Sequence, residues 1–315
     1  WVACKPGSEL AIVNALAGKG DLAAAATAGG VDQAVLQRLA GEIASTKPSL
    51  VLSGVTTANA LDVALAVNAL NQAAGNVGVT IKPAEALTSF DRVGSPNDLR
   101  DAVQRMASGA VQLAMFRGVN PVYVLPKSLR VAEALAKVPF KVSFSPYPDE
   151  TTELCDLVLP DDHFLESWGD AESVRGSVSL QQPAMDRVFD TRATADVLIG
   201  VTKGDPATAS RIPAADYRSW LIGRFPGGAQ AFGAALARGM APGSPAQSTG
   251  ASRTVAAAPA PAPAPLEGQQ GDFYFLAYPS PVLGDGRATN KPWLQELPDP
   301  VTKIAWQSWI EIHPT

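Results

Sequence analysis

Four short apolar runs, each closed by glycine or proline, constrain the fold of this chain more than any other feature. They span 49–53, 111–116, 138–144 and 155–159. Residues with helical apolar spacing follow the first run, and a proline and a serine open a helix after the second. Short strands that alternate with helices are typical of a parallel sheet with helices on both faces. The sequence therefore predicts a Rossmann-like α/β fold.

A segment rich in alanine and proline, 241–271, divides the chain. It has almost no side chain able to bury area, so it is predicted to be a linker or a long surface excursion. The α/β region is placed at 1–240, and the start of a C-terminal β-barrel-type domain at 272–315. That domain is predicted from an aromatic strand over 273–278 and a last strand that begins at Trp309. We expect the chain to be cut from a longer protein, because that strand stops at His313-Pro314 and its partner strands are missing.

Smaller elements are also predicted inside the α/β region. Residues 174–180 alternate in polarity as a strand with one exposed face does. Residues 17–30 are either a loop or a short, weak helix. Further helices are predicted at 60–73, 129–136, 191–201, 217–225 and 229–237.

Composition excludes several functional classes. The chain has 25 basic and 30 acidic residues, a net charge of −5, which provides no footprint for nucleic acid. No run of apolar residues approaches the length of about 18 that a membrane helix needs. Cys4 and Cys155 lie too far apart for an iron–sulfur ligand set and are predicted to be buried apolar side chains. With two histidines in the chain, we predict no metal site.

Ligand sites on parallel sheets lie beyond the carboxyl ends of the strands. Here those positions are 54–57, 118–120 and 146–151. The first turn either holds an anion at a helix N-terminus or is an ordinary turn with a threonine cap, and the second reading is favoured. The same choice holds for the turn at 118–120, where an asparagine precedes a proline. No catalytic constellation is predicted.

An acidic group follows the third apolar run. It could do acid–base work or bind a hard cation, but its spacing matches no calcium loop, and a capping and surface role is predicted. Its members are Asp149, Glu150, Glu153, Asp156, Asp161, Asp162 and Glu166.

Several segments, taken in order, resemble the molybdopterin oxidoreductase superfamily, which includes dimethyl sulfoxide reductase. The most specific is Asp-Glu-Thr-Thr-Glu-Leu-Cys-Asp-Leu-Val-Leu-Pro at 149–160. The other matching positions are Trp1 with Lys-Pro-Gly-Ser-Glu at 5–9, Gly-Val-Asn-Pro at 118–121, Glu166, Gly169 and Arg175-Gly176. A narrower resemblance is to the large iron–sulfur subunit of alternative complex III, carried by 138–145, 165–172, 179–185, 189–192 and 290–300.

The narrower resemblance implies a molybdopterin-like, cofactor-free structural portion of the iron–sulfur subunit of a membrane quinol:acceptor oxidoreductase. It implies iron–sulfur clusters in a later ferredoxin-like part and none in this chain. The implied partners are a multihaem cytochrome and quinol-binding membrane subunits, and the implied location is peripheral, at the periplasmic face of a bacterial inner membrane.

The wider family implies the alternative, a catalytically active oxidoreductase with bis-molybdopterin guanine dinucleotide. Under it, Ser8, Asn120, Asp149 and Thr151 would lie against the pterin dinucleotide. Glu9 stands where the family has aspartate, and the stretch 171–175 lacks the family's asparagine. A buried site disfavours partners that leave its polar groups unpaired. These departures favour a fold that was retained after its cofactor was lost.

Overall fold

The computed structural model describes residues 1–54, 59–82, 93–174, 177–225, 227–240, 271–284 and 286–312. They belong to two units, Trp1–Ala86 with Gln247–Pro279 and Leu87–Ala246 with Ser280–Thr315, which we call the helical unit and the α/β unit. Apart from Gly271, the predicted linker lies outside the described residues, as does most of the predicted anion turn at 54–57. The predicted domain boundaries stay a prediction.

The described residues of the helical unit contain four helices: α1 (Glu9–Leu16), α2 (Leu22–Gly29), α3 (Gln33–Ser45) and α4 (Ala60–Ala73). The Asp21 carboxylate accepts the backbone N–H of Ala24 at 2.6 Å, which caps α2. Gly30 ends α2 at φ +63°, a conformation that favours glycine. The alternative of a short helix within 17–30 is therefore confirmed.

The predicted strand at 49–53 is wrong. A strand needs a neighbour to take up its backbone groups, and here a side chain does so. The Asn71 amide on α4 accepts the N–H of Val51 at 3.0 Å and donates to its carbonyl at 2.8 Å. The segment is thus extended beside a helix rather than paired in a sheet.

The α/β unit contains the predicted parallel sheet. Its order is β1 (Leu113–Phe116), β2 (Phe140–Ser143), β3 (Leu157–Val158), with Leu113 opposite Phe140 and Val142 opposite Leu157. The three later apolar runs therefore form strands, and the predicted α/β fold is confirmed. The flanking helices are α5 (Pro96–Ala107), α6 (Pro121–Val124) and α7 (Val131–Leu135), with short 3₁₀ turns at Lys127–Leu129 and Thr152–Leu154.

Helices pack on the sheet through one apolar cluster. Val103 of α5 and Val131 and Leu135 of α7 are buried together, with Phe116 of β1 packed against them. α5 begins with a capping box in which Ser95 Oγ accepts the Asp98 N–H at 3.2 Å. The cap and the apolar face together fix α5 over β1.

An antiparallel hairpin and three helices follow the sheet. They are β4 (Gly169–Val174), β5 (Ser177–Gln181), α8 (Thr194–Gly204), α9 (Tyr217–Arg224) and α10 (Gly228–Arg238). The strand predicted at 174–180 is therefore the second half of a hairpin. Phe232 of α10 is buried, with ring centroids 6.1 Å from Trp168 and 5.3 Å from Phe225.

After residue 271 the described chain holds one short helix, α11 (Pro292–Glu296), and a bridge between Ser280 and Gly284. The strands predicted at 273–278 and from Trp309 are wrong. Phe275 is 91% exposed, and the described residues give this β-prone segment no ladder partner. In the part of the chain that the structure describes, no helix has the length and hydropathy to span a bilayer.

Candidate functional site

Polar side chains gather beyond the carboxyl ends of β1 and β2. The ladder extends one residue past β2, since the Phe144 N–H donates to the Phe116 carbonyl at 2.8 Å. The chain then turns after β1 through Gly118, whose φ of +66° favours glycine. Two residues later Asn120 precedes Pro121, which starts α6. This is the edge at which parallel α/β folds bind ligands.

Both polar atoms of the Asn120 side chain are bonded within the protein. Its Oδ1 accepts the hydroxyl of Thr151 at 2.7 Å and the N–H of Tyr123 at 3.4 Å. Its Nδ2 donates to Glu150 Oε2 at 2.7 Å. The asparagine thus caps α6 and ties it to the turn that follows β2. We call Asn120, Asp149, Glu150 and Thr151 the strand-end cluster.

The other members of the strand-end cluster are also engaged. Thr151 is 1% exposed, and its Oγ1 accepts the Val122 N–H at 3.2 Å. Asp149 Oδ1 accepts the Thr152 N–H at 2.7 Å, and the Thr152 hydroxyl lies 2.8 Å from that of Ser143. The structure therefore places three of the four predicted cofactor-binding residues at one edge of the sheet: Asn120 and Thr151 are bonded to each other, and Asp149 lies in the same turn and bonds to the Thr152 N–H.

The chemistry around the cluster suits neither a thiolate nor a metal ligand. Cys155 donates from Sγ to the Thr151 carbonyl at 3.3 Å, and burial raises the pKa of its thiol. Cys4 is exposed, contrary to the prediction that it is buried. Within the described residues, no three His, Cys, Asp or Glu side chains group closely enough to hold a metal ion.

Ser8, the fourth predicted cofactor-binding residue, lies in the helical unit before α1. It is buried, and its hydroxyl donates to the Lys5 carbonyl at 2.6 Å. The next residue differs, because Glu9 Oε2 is buried and has no hydrogen-bond partner. A buried acceptor without a partner is unusual in a folded protein. We call Ser8 and Glu9 the α1 start.

Sequence reasoning missed the partners of the acidic group. The Arg117 Nε donates to Asp161 Oδ2 at 2.8 Å, and Asp161 Oδ1 accepts the Thr194 N–H at the start of α8. The buried Asp162 accepts from Arg187 Nε at 2.9 and 3.0 Å. The Asp161 contacts join the end of β1 to the start of α8 and agree with the predicted capping role. The predicted surface role is wrong for Asp162, which is buried against Arg187. The arginines are distant in sequence, so spacing alone gave no signal for them.

The fold defines a class: α/β proteins with a parallel sheet, in which ligand sites lie beyond the carboxyl ends of the strands. The sequence model of the molybdopterin oxidoreductase family matches residues 22–203, more than half of the chain. The chain therefore belongs to the molybdopterin oxidoreductase family.

Curated relatives agree with this membership. The menaquinone reductase molybdopterin-binding-like subunit of Nitratidesulfovibrio vulgaris is 34% identical over 189 residues, which is 55% of this chain and 27% of that protein. The molybdopterin-containing arsenate respiratory reductase subunit of Shewanella sp. strain ANA-3 is 36% identical over 86 residues, 26% of this chain and 10% of that protein. The chain thus spans about a quarter or less of these relatives.

A solved structure supports the fold alone. Acetylene hydratase from Pelobacter acetylenicus superposes with a TM-score of 0.54 at 12% identity, covering 70% of this chain and 42% of that one. The confirmed resemblance is thus to the wider family.

The family implies a molybdopterin cofactor, and the strand-end cluster does not fit one well. A ligand needs donors and acceptors that the protein leaves free. Both polar atoms of Asn120 and the hydroxyl of Thr151 are bonded within the protein.

Proposed function

We propose that this chain is the cofactor-free, structural molybdopterin-like portion of a membrane electron-transfer complex that oxidises quinol. In the finer form of the proposal it belongs to the large iron–sulfur subunit of alternative complex III. Its partners would be a multihaem cytochrome and quinol-binding membrane subunits, and its place the periplasmic face of a bacterial inner membrane. The name of the Nitratidesulfovibrio relative, a menaquinone reductase subunit described as molybdopterin-binding-like, supports the link to quinone chemistry.

One observation carries the cofactor-free part of the proposal: within the strand-end cluster, the Asn120 side chain bonds to both Glu150 and Thr151. To bind a ligand through its Oδ1, Asn120 would have to release the hydroxyl of the buried Thr151, and a buried group left without its partner costs about 1–3 kcal/mol. Glu150 also places a carboxylate beside the amide. Such a charge opposes the approach of a dinucleotide's phosphate groups.

The role that remains for the chain is mechanical. The Arg117–Asp161 and Arg187–Asp162 contacts bind the sheet to the following segments. Removing one partner of a partly buried ion pair lowers the stability of a protein much more than removing one partner of an exposed pair. We propose that these contacts keep the α/β unit rigid, so that neighbouring subunits are held at fixed positions for electron transfer.

The proposal is tested by elemental and nucleotide analysis of the intact protein, purified from its natural source. We expect no stoichiometric molybdenum and no guanine nucleotide released by acid. A molybdopterin-containing arsenate reductase, treated in parallel, provides the positive control. One molybdenum per chain together with released guanine nucleotide would overturn the cofactor-free reading.

The alternative is an active oxidoreductase with bis-molybdopterin guanine dinucleotide, and one observation favours it. The Glu9 carboxylate oxygen at the α1 start is buried without a partner, and an N–H donor of a ligand would satisfy it. Nitrate reductase of Shewanella frigidimarina, 30% identical over 35% of this chain and 12% of its own length, is a relative named as an enzyme. The same analysis of metal and nucleotide separates the two proposals.

A further inference from the structure

We infer that the strand-end edge of the α/β unit anchors a segment of the chain itself. The segment is 286–306, and the anchor runs from the strand-end cluster through α6 to Thr289. The edge that parallel sheets use for ligands then serves here as an internal attachment site. This inference rests on contacts in the α/β unit alone and does not depend on the proposed electron-transfer role.

The first link fixes the start of α6. A four-residue helix makes few bonds of its own, so its position depends on outside contacts. Asn120 supplies them, since it accepts the Tyr123 N–H and is itself bonded to Glu150 and Thr151. The Thr151 hydroxyl also accepts the Val122 N–H at 3.2 Å. Two successive N–H groups of α6 therefore donate hydrogen bonds to side chains of the strand-end cluster.

The second link joins α6 to the later segment. The Tyr123 hydroxyl lies 2.8 Å from Thr289 Oγ1. The Thr289 hydroxyl is also within 2.9 Å of the Gly286 carbonyl, to which it donates. With that proton used, Thr289 is placed to accept from Tyr123. Residues 166 positions apart in sequence meet at this contact.

The segment is bonded internally, so holding one end affects the rest. Gln295 Nε2 donates to the Thr289 carbonyl at 2.8 Å, and the Trp306 N–H donates to the Gln295 carbonyl at 3.1 Å. The Asp299 N–H in turn donates to the Ile304 carbonyl at 3.0 Å. The anchor thus reaches Trp306 through three consecutive contacts, Tyr123 with Thr289, Thr289 with Gln295, and Gln295 with Trp306. It positions an exposed surface that includes Trp293, Val301 and Trp306.

Hydrogen exchange of the intact protein tests the anchor. Tyr123→Phe removes the hydroxyl and keeps the ring. We expect amide exchange across 286–306 to speed up roughly twofold to tenfold, as loss of one hydrogen bond in a local opening implies. Tyr147→Phe is the matched control, because Tyr147 is 57% exposed against 50% for Tyr123 and no described partner holds its hydroxyl. Equal exchange in the two variants would overturn the second link.

Conservative substitutions test the chemistry of each link. Thr289→Val should speed exchange like Tyr123→Phe, and Thr289→Ser, which keeps a hydroxyl, should restore the native rate. Glu150→Ala should speed amide exchange at Val122, Tyr123 and 286–306. Glu150→Gln keeps an acceptor for Asn120, so the exchange rates at these positions should stay near those of the native protein. If Glu150→Ala loosens α6 but not 286–306, the anchor does not start at the strand ends and the inference fails. Metal analysis has no bearing on these outcomes, so this inference and the proposed function can fail separately.

Discussion

The strand-end cluster and the α1 start carry predicted cofactor-binding residues in two different states. In the cluster, Asn120 and Thr151 are bonded to one another and to neighbouring groups. At the α1 start, the Ser8 hydroxyl is bonded but a buried oxygen of the next residue, Glu9, is not. The difference teaches that family motifs alone do not decide whether a site accepts a ligand. The bonding of each polar atom also matters, because a buried group that must give up its partner pays the cost of leaving that partner unpaired.

The largest expected effect comes from Asn71, a residue of the helical unit whose side-chain oxygen and nitrogen are both hydrogen-bonded within the protein. It is 1% exposed and bonded to Val51, Val67 and Asn76. Asn71→Leu should lower the free energy of unfolding by about 3 kcal/mol, because the part-buried N–H and carbonyl of Val51 and the buried amide of Asn76 lose their partner. Asn68→Leu, at an exposed site of the same helix, should change it by less than about 0.5 kcal/mol. Denaturant titration measures the free energy of unfolding of both variants. Equal losses would show that the hydrogen bonds of Asn71 do not stabilise the helical unit.

Thr151→Val tests the strand-end cluster in the same way. The change is nearly isosteric, but it leaves Asn120 Oδ1 with a weaker set of donors and Val122 N–H without an acceptor. We expect a loss of about 1–2 kcal/mol in the free energy of unfolding. Thr27→Val, whose hydroxyl bond on α2 is exposed, is the control and should cost less. If the two variants are equally stable in denaturant titration, the hydrogen bonds of Thr151 in the strand-end cluster do not stabilise the fold.

Glu9→Gln sharpens the contrast at the α1 start. The substitution leaves a polar group at the buried position but removes its charge, which lowers the cost of burying it without a partner. It also gives up a favourable charge at a helix N-terminus, worth about 0.3–1 kcal/mol. In a cofactor-free protein we expect a net gain of about 1 kcal/mol in the free energy of unfolding. A loss of similar size in protein purified from its natural source would instead indicate that a bound donor group uses this carboxylate.

The smallest effect concerns Tyr217, a bonded polar group outside both regions. Burial raises the pKa of Tyr217 to about 12, aided by donation of its hydroxyl to Asp170 at 2.7 Å. The folded state therefore favours the protonated phenol. Its contribution to stability is complete below about pH 10, the ordinary tyrosine pKa, and is lost as the pH rises towards 12.

Comparison with Tyr217→Phe isolates this contribution. Between pH 10 and 12 the free energy of unfolding should fall less in the variant than in the native chain. Because the residue is partly exposed, solvent screens the effect and we expect a modest difference. Parallel curves for the two proteins would show that the bond to Asp170 contributes nothing.

The sequence was sufficient for the parallel sheet but not for isolated strands. The runs at 111–116, 138–144 and 155–159 each contain a strand, because they lie beside one another and share a ladder. The runs at 49–53 and 273–278 have the same β-prone composition and form none. Propensity describes a residue, whereas a strand depends on a neighbour that one sequence does not reveal.

The sequence predicts where the candidate site lies, but not which groups its polar side chains are hydrogen-bonded to. Strand ends followed by Gly118 and Asn120 located the edge correctly, and Asp149 and Thr151 lie there as predicted. Glu150 as the partner of Asn120, and Thr289 as the partner of Tyr123, depend on contacts across 30 and 166 positions. No local pattern encodes such pairs.

An experimental density map of the intact protein at the ends of β1 and β2 tests the central claim most directly. We expect Glu150 and Thr151 in contact with Asn120 and no further density against them. A pterin lying over Asn120, with Glu150 swung away from the amide, would contradict the account.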